Sequence, residues 1–577
     1  MKTNIKNLIN KTLVGVAAAT LGLGAVSCSD MLDTKPQGQF TDEQIGEDEA
    51  IDFMTSAYAT LMNHYFGNNE SFAGPINNWV IDLRSDDAVK GGDGITMEAY
   101  MHQLEIGNVQ NNNDIINFKW KNNYFSVSRC NTAIKAIQNA GNLSDEQKNS
   151  FVAEMKTLRA YYYFDMLRLF QKFPYFDETV SNPSEVRADE YTKAQIAEFI
   201  KQDLRDAYAS LPETQPQVAR FNKYVAAAIL ARVDLFTATS EYTNDIASVW
   251  AEVEQYTSYI INSGQYQLFP YFQDMSKPEY NNTMESVMAV QFSMANSPDQ
   301  FNFNNCLNCT WSEGNIYGNG DDFYLGSQNL IDAFRTDASG LPYLNETTVN
   351  DHVMNVNYAG NVDPRLDLTF GRIGMWWRAN PADANQNYMY NEQWCRNLEL
   401  YGQYSGKKPY PAPYNPDVKV GIVPWGASSL NYIIIRYADV LLMKAEALIE
   451  QNKDLDGARQ LINQVRQRAA NSNSASYRPV DLDPNIAHYA IGQYPATGWN
   501  QDYARQALRH ERRVEFAMEG LRWFDLLRWG TVLTTVNNYY ASELQFHSYY
   551  QGANLSADEL YFPIPLAQVD NSNGLYN

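Results

Sequence analysis

Cysteine is scarce in this chain. Beyond Cys28 only Cys130, Cys306, Cys309 and Cys395 remain. That is too few for the disulfide framework of a small secreted domain. Cys306-Leu-Asn-Cys309 has the spacing of one zinc half-knuckle, but no second Cys or His pair follows at a suitable distance. No metal is therefore expected there, and a local disulfide or two free thiols are the readings left. Cations are also in the minority, at 44 Lys and Arg against 67 Asp and Glu, for a formal net charge of −23. Such a surface repels phosphate backbones, so nucleic acid is not an expected partner. No stretch beyond the first 27 residues reaches the roughly 18 apolar residues that a spanning helix needs. His-Glu-x-x-His, Gly-x-Ser-x-Gly, phosphate-loop and dinucleotide fingerprints are missing as well. No cofactor is expected, and none of the common catalytic signatures is offered.

The first residues do offer a signal. Lys2, Lys6 and Lys11 surround the start of an apolar run from Leu13 to Val26, which closes in Ala25-Val26-Ser27-Cys28. The run has the length of a signal-peptide core rather than a membrane span. Small residues just ahead of a Cys resemble the bacterial lipobox. The expectation is a leader over 1–27 and lipid on Cys28. Removing the three leader lysines takes the net charge from −23 to −26. Acyl chains anchor by burying methylenes, at about 0.8 kcal/mol each.

About 550 mature residues exceed what one simple core fills. From about Glu47 to Gly264 the pattern is mostly helical. Phe151, Met155, Leu158, Tyr162, Met166 and Leu169 step by three and four, and Ser144 with Gln147 forms a capping box ahead of them. Further helices are predicted over about Asn222–Thr239 and Trp250–Asn262, the latter stopping at Gly264. Helices return between about Tyr437 and Arg468, turning at Asn452–Asp456. Paired helices with small residues at their contacts suggest degenerate tetratricopeptide-like units. Between about Gln265 and Val423, Asn, Gly, Pro, Asp and aromatics dominate, and only Phe323–Phe334 keeps a short helical period. Trp311, Trp376, Trp377 and Trp394 fall here, with Trp425 just after. So long an irregular segment is normally functional or disordered, and its aromatic content argues against disorder. The predicted architecture is mainly α. A helical part over 28–264 is interrupted by a loop-rich, aromatic-rich insertion over 265–430 and completed by 431–577.

Five blocks carry a resemblance. They are Cys28-Ser-Asp-Met-Leu-Asp33-Thr-Lys-Pro36; Glu154-Met-Lys-Thr-Leu-Arg159-Ala-Tyr-Tyr-Tyr-Phe164 with Lys172-Phe-Pro174; Arg436-Tyr-Ala-Asp439-Val-Leu-Leu-Met-Lys444-Ala-Glu446-Ala; Glu511-Arg-Arg-Val-Glu515-Phe-Ala-Met-Glu519-Gly-Leu-Arg522-Trp-Phe-Asp525-Leu-Leu-Arg528-Trp-Gly530; and Leu560-Tyr-Phe-Pro563-Ile-Pro565. In this order, from end to end, the chain resembles the SusD/RagB family. The resemblance implies a non-catalytic lipoprotein on the outer membrane, with a helical scaffold and a variable ligand face. It implies a SusC-like, TonB-dependent transporter as partner and an oligo- or polysaccharide as ligand, with peptides in the RagB branch. It fixes no ligand residues.

The charges in Glu511–Arg528 have a physical reading of their own. Glu511, Glu515 and Glu519 repel at i,i+4 unless Arg512, Arg513 and Arg522 intervene. The stripe Val514, Met518, Leu521, Phe524 and Leu527 marks a packed helix, so these charges are read as structural, as are Arg436, Asp439 and Glu446. A sugar needs aromatic faces beside short polar side chains on a rigid support. Two regions offer them. One is Asn77-Asn78-Trp79 with Asp82, Arg84, Asp86 and Asp87, ahead of the Gly91–Gly94 turn. The other is the insertion, with Trp311, Tyr317, Asn319, Asp321, Asp322, Trp376 and Trp377. Trp376 and Trp377 are adjacent and point opposite ways in extended chain, so one of them at most faces a ligand. Competing readings are a surface glycoside hydrolase, which needs two carboxylates across a cleft, a helical adaptor for proteins, and a peptide-capturing lid.

Overall fold

The computed structural model describes residues 45–62, 78–294, 301–302, 308–311, 317, 320–344, 346, 349–378, 380, 382–419, 427–474 and 481–576. Cys28, Asn77, Cys306, Asn319 and Trp425 lie outside them. The fold is mainly helical, as predicted. Its scaffold runs through α1 (Glu47–Tyr58), α2 (Asp114–Asn139), α3 (Asp145–Leu169), α4 (Lys193–Ser210), α5 (Lys223–Thr237) and α6 (Ile246–Asn262). It continues in α7 (Tyr437–Glu450), α8 (Leu455–Asn471) and α9 (Gln501–Glu515). Each helix from α2 to α6 packs on the next, and α6 then packs on α7 across the long intervening segment.

Local chemistry explains these helices. Ser144 accepts from the Gln147 N–H, and Gln147 returns the bond, closing the expected capping box at α3. Asn222 caps α5. Its Ala226, Ala227, Ala228 and Ala231 are fully buried, where small side chains let neighbouring backbones approach. Gly264 sits at φ +66° just past α6, the left-handed position that ends a helix without a Cβ penalty. Asn452 does the same at φ +49° between α7 and α8.

The irregular segment is zipped to this scaffold. Strand Ser286–Val290 pairs antiparallel with Tyr432–Arg436, so the chain enters and leaves the insertion side by side, directly before α7. Strand Phe323–Gly326 pairs antiparallel with Ala88–Gly91. The short period read over Phe323–Phe334 is therefore split. Its first four residues are strand, and only Gln328–Ala333 is helix, capped by Ser327. Gly91 needs its lack of a side chain, because a Cβ there would lie 2.1 Å from the Asp322 carbonyl oxygen.

A second difference concerns Glu511–Arg528. The stripe predicts one helix, but α9 stops at Glu515 and a new helix runs Arg522–Arg528. Met518 at φ +62° and Gly520 at φ +72° make the break. A Cβ on Gly520 would lie 2.7 Å from the Asn78 backbone, so the turn is shaped by a close approach from the other end of the chain.

Glu511 and Glu515 of α9 face inward, and each meets arginines from elsewhere. Arg365 spans Glu511 at 2.7 Å and Glu515 at 3.0 Å, with Asp363 at 2.7 Å. Arg466 holds Glu511 at 2.9 Å. Arg436 holds Glu515 and Glu285, and Arg468 holds the same two carboxylates. Burial alone pushes the Glu515 carboxyl up, but Arg468, Arg436 and Arg365 outweigh it and hold it down at about 2. The charges are structural, as the apolar stripe implied.

Removing one member of this lattice leaves buried charge without a partner. We expect Arg365→Met to lose about 3–5 kcal/mol of stability, measured as a shift in the urea midpoint. A loss under about 1 kcal/mol would show that the remaining arginines suffice.

Candidate ligand-binding surface

The two regions nominated from the sequence fare differently. In the first, Trp79–Asp82 forms a single buried helical turn. Trp79 is 5 % exposed, lies 5.4 Å from the Tyr324 ring and lines a pocket of about 110 Å³, together with Tyr432, Lys408 and Met518. Asp82 accepts from the Tyr324 hydroxyl at 2.8 Å. Burial, then Asp87, raises its carboxyl to about 7, against that hydrogen bond. Arg84 is sandwiched between the Trp523 ring at 3.9 Å and the Phe562 ring at 4.4 Å, and donates to the Glu559 carbonyl. Burial lowers it to about 9. Asp86 pairs with Arg522 at 2.8 Å and with Arg513 at 3.0 Å. Burial raises its carboxyl, but those two arginines outweigh burial and hold it well below the usual range. Asp87 pairs with Arg513 at 2.7 Å. The expectation of a ligand surface at Asp82, Arg84 and Asp86 is thus corrected. These groups are buried. Asp82 and Asp86 are matched, and Arg84 is held by two rings and one carbonyl with its Nε and Nη1 unbonded; all three join the N-terminal part to the last helices.

The second region separates into an interior and a surface. Its interior is a small aromatic core. Trp377 is 0 % exposed and stacks on Tyr390 at 5.5 Å and 21°, with Trp394 edge-on to both. Its indole N–H donates to the Tyr317 hydroxyl at 3.3 Å, and Tyr317 donates onward to the Pro411 carbonyl at 2.7 Å. Tyr317 and Trp377 therefore serve as support, not as contacts, which corrects the expectation for both. Trp376, the outer member of the adjacent pair, is half-buried and pairs across a short hairpin with the exposed Met389.

Trp311 is the surface. Its indole is 38 % exposed, and its backbone N–H donates to the Trp394 carbonyl at 2.9 Å, which fastens it to the aromatic core. The Arg396 guanidinium lies 4.3 Å from its ring centroid. Arg396 also pairs with Asp321. Burial raises the Asp321 carboxyl, and Arg396 partly offsets that. Behind them Asp322 accepts from the Arg396 backbone N–H at 3.0 Å and from Ser405 at 2.7 Å. Asn397 donates to the Asp93 carbonyl at 2.6 Å, bringing the glycine-rich turn after Asp87 to the same edge. The structure thus gathers Trp311, Asp321, Arg396 and Asn397. Arg396 and Asn397 escaped the sequence reading. Arg396 lies 75 residues from Asp321, and no local pattern marks it.

Chemically this is an indole covered on one face by a guanidinium that also holds a carboxylate. Its open face suits an apolar ring face, and its rim suits hydroxyls. Among the described residues, no group of three or more His, Cys, Asp or Glu is placed to hold a metal ion. No helix among them is long and apolar enough to cross a membrane.

Comparison with known proteins agrees with this architecture. Residues 284–577 match the model of the SusD family. Residues 32–235 match a family described as starch-binding, associating with the outer membrane. A SusD-like protein P2 of Formosa agariphila is 26 % identical over 520 residues, covering 88 % of each chain. A SusD-like protein of Bacteroides ovatus is 26 % identical over 529 residues, covering 89 % of this chain and 81 % of its own. A solved SusD-like carbohydrate-binding protein from Bacteroides fragilis superposes with TM-score 0.69 at 20 % identity, over 92 % of this chain and 98 % of its own. Surface glycan-binding protein A from Bacteroides thetaiotaomicron, in complex with laminarihexaose, superposes with TM-score 0.65 at 19 % identity, over 92 % and 99 %.

Asp322 supplies a pH test of the support beneath Trp311. Burial raises its carboxyl to about 7, against the bonds from Ser405 and the Arg396 backbone. Its folded value lies above its unfolded value. The stability it contributes is therefore full below about pH 4 and is lost as pH rises through about 7. Asp322→Asn keeps one acceptor, for the Arg396 N–H, turns the other contact into an N–H donor toward the Ser405 hydroxyl oxygen, and tolerates φ +53°. It should make the fall of unfolding free energy between pH 4.5 and 7 shallower by up to about 1.4 kcal/mol per pH unit. Parallel curves for the two proteins would sink this assignment.

Proposed function

The chain belongs to the SusD family, and from that premise we propose that it binds oligo- or polysaccharide at the cell surface and hands it to a SusC-like, TonB-dependent transporter. The observation that carries the glycan reading is Trp311. It is a solvent-open indole, stacked on one side by Arg396, on a rigid aromatic support. Indole and guanidinium present a flat, pre-oriented platform, so little side-chain entropy is lost when a sugar ring settles on it. Asp321, held by Arg396, stands beside it for hydroxyls. Two likenesses support the same reading: the starch-binding, outer-membrane association of the family matching residues 32–235, and the laminarihexaose held by a structural neighbour. The role is capture rather than catalysis. The anchor is lipid on Cys28, and the protein faces the exterior.

Affinity electrophoresis of the mature chain against a panel of neutral and acidic polysaccharides tests this. At least one polysaccharide should retard it, and Trp311→Ala should weaken that interaction at least tenfold, about 1.4 kcal/mol. Retardation by no glycan would overturn the reading in favour of peptide capture. Product release from a retarding glycan would replace capture by hydrolysis.

The anchor is tested separately. In a SusD-expressing host, Cys28→Ala should abolish incorporation of labelled fatty acid and release the chain from the membrane fraction. Retained label would place the lipid elsewhere.

A further inference from the structure

On a chain of net charge −23, several hollows run against the overall field, and one of them holds an arginine without a partner. A cleft of about 370 Å³ opens between Asn329, Arg335, Tyr343 and Val349 and the helices that carry Arg509, Arg522 and Thr535. Arg335, Arg509, Arg513 and Arg522 line it against two carboxylates, Asp332 and Glu346. Most of these charges are already matched. Arg335 pairs with Glu346 at 2.6 Å, Arg513 with Asp87 at 2.7 Å and Arg522 with Asp86 at 2.8 Å. Asp332 accepts from His352 at 2.7 Å and from the Val353 N–H at 2.8 Å.

Arg509 is left over. Its Nε is buried without an acceptor, and among the described residues its guanidinium makes no ion pair. The carboxylates nearest in its field, Glu446 and Glu450, are occupied by Arg528 and Arg505. A partly buried guanidinium without an acceptor is costly, and an incoming anion would remove that cost. The neighbouring His510 senses the same field. Burial and then Arg466, Arg365, Arg513 and Arg522 push its imidazole well below its usual range.

The walls are aromatic. Arg509 lies 4.8 Å from the Trp529 ring centroid, and Arg335 lies 5.0 Å from that of Tyr343, which is 48 % exposed. Trp529 also carries Arg528 at 4.8 Å, so Tyr343 is the exposed ring of the cleft. An unmatched guanidinium in a cleft that also holds an exposed ring suits a charged sugar better than a bare ion.

We propose that this cleft is a second binding site, separate from the Trp311 surface, for an oxyanion carried by a sugar (a uronate carboxylate or a sulfate ester), with Arg509 as its main donor. The anion part stands on Arg509 alone. The sugar part rests on the reading of the chain as a glycan binder.

The test is calorimetric titration of the mature chain with sodium D-glucuronate, sodium sulfate and D-glucose, at an ionic strength fixed with sodium chloride. Both anions should bind and glucose should not. Arg509→Gln should weaken anion binding at least tenfold. So should Gln506→Glu, which places an internal carboxylate one turn from Arg509 on an exposed position and truncates nothing. In the wild type, either anion should also raise the titration midpoint of the His510 ring protons by NMR. Trp311→Ala should leave all of this unchanged, which keeps a failure here distinct from a failure at Trp311. Lack of a response beyond chloride, or equal affinity in both variants, overturns the site. Binding of sulfate without glucuronate overturns its assignment to a sugar-borne anion.

Discussion

The structure depends on the buried carboxylates of α9. Glu511 and Glu515 lie one turn apart on the same inward face, fully buried. They would expel each other were it not for Arg365, Arg436, Arg466 and Arg468, which arrive from three separate stretches of chain. Desolvating so many charges is expensive. A set of apolar side chains of the same volume would serve stability as well or better. What the charges supply is selectivity. A carboxylate pair can be neutralised only when all the surrounding elements are in place, so the last helices cannot dock out of register without leaving charge buried and unpaired. The same logic extends outward. Arg512 joins Asp439 to Asp525, Arg232 takes the other oxygen of Asp439, and Arg528 joins Asp525 to Glu446.

This lattice also fixes the irregular segment. Arg365, Glu285 and Lys408 belong to that segment, and each ends in the carboxylates or guanidiniums of α7 to α9 and the turn that follows. Asp86 and Asp87 connect the N-terminal part to the same region through Arg513 and Arg522. Loops need such ties if they are to hold a ligand platform. The aromatic core beneath Trp311 is small, and its hydrogen bonds run through Tyr317, Trp377, Tyr390 and Ser405 to backbone carbonyls. A platform held this way is pre-formed rather than folded around its ligand.

Much of the scaffold was legible in the sequence because its determinants are local. The capping box at Ser144, the stop at Gly264 and the turn at Asn452 each depend on residues within a few positions. The misread places depend on partners far away. Glu511–Arg528 carries an unbroken apolar stripe, yet the helix breaks where Gly520 meets Asn78. Phe323–Gly326 becomes strand because Ala88–Gly91 lies alongside it. Asp82, Arg84 and Asp86 beside Trp79 look like a polar rim around a stacking ring. A buried ion network has the same local composition, and only the arrival of Arg522, 436 residues from Asp86, distinguishes the two. The Glu511–Arg528 charges were read as structural because an apolar stripe ran through them. The Trp79 segment offered no such stripe.

Aromatic abundance proved a weak guide to ligand contacts for a similar reason. Tyrosine can be buried whenever its hydroxyl finds an acceptor, and here it regularly does. Tyr163 bonds the Phe176 backbone, Tyr124 the Pro174 carbonyl, and Tyr539 pairs with Tyr550. A chain rich in Tyr can therefore spend most of it on the interior. What marks a contact residue is not the ring but its unequal surroundings. The ring must be held firmly from behind and occupied on no more than one face. Trp377 has neighbours on both faces and is support. Trp311 has a guanidinium on one face and solvent beside it, whereas Trp529 carries two guanidiniums, Arg509 and Arg528, in a different cleft. In both cases the cation orients the ring while keeping its own hydrogen-bonding edge. The two clefts differ in whether that cation already has a carboxylate. Arg396 has Asp321, which leaves a nearly neutral rim suited to hydroxyls. Arg509 has none, which leaves a rim suited to charge.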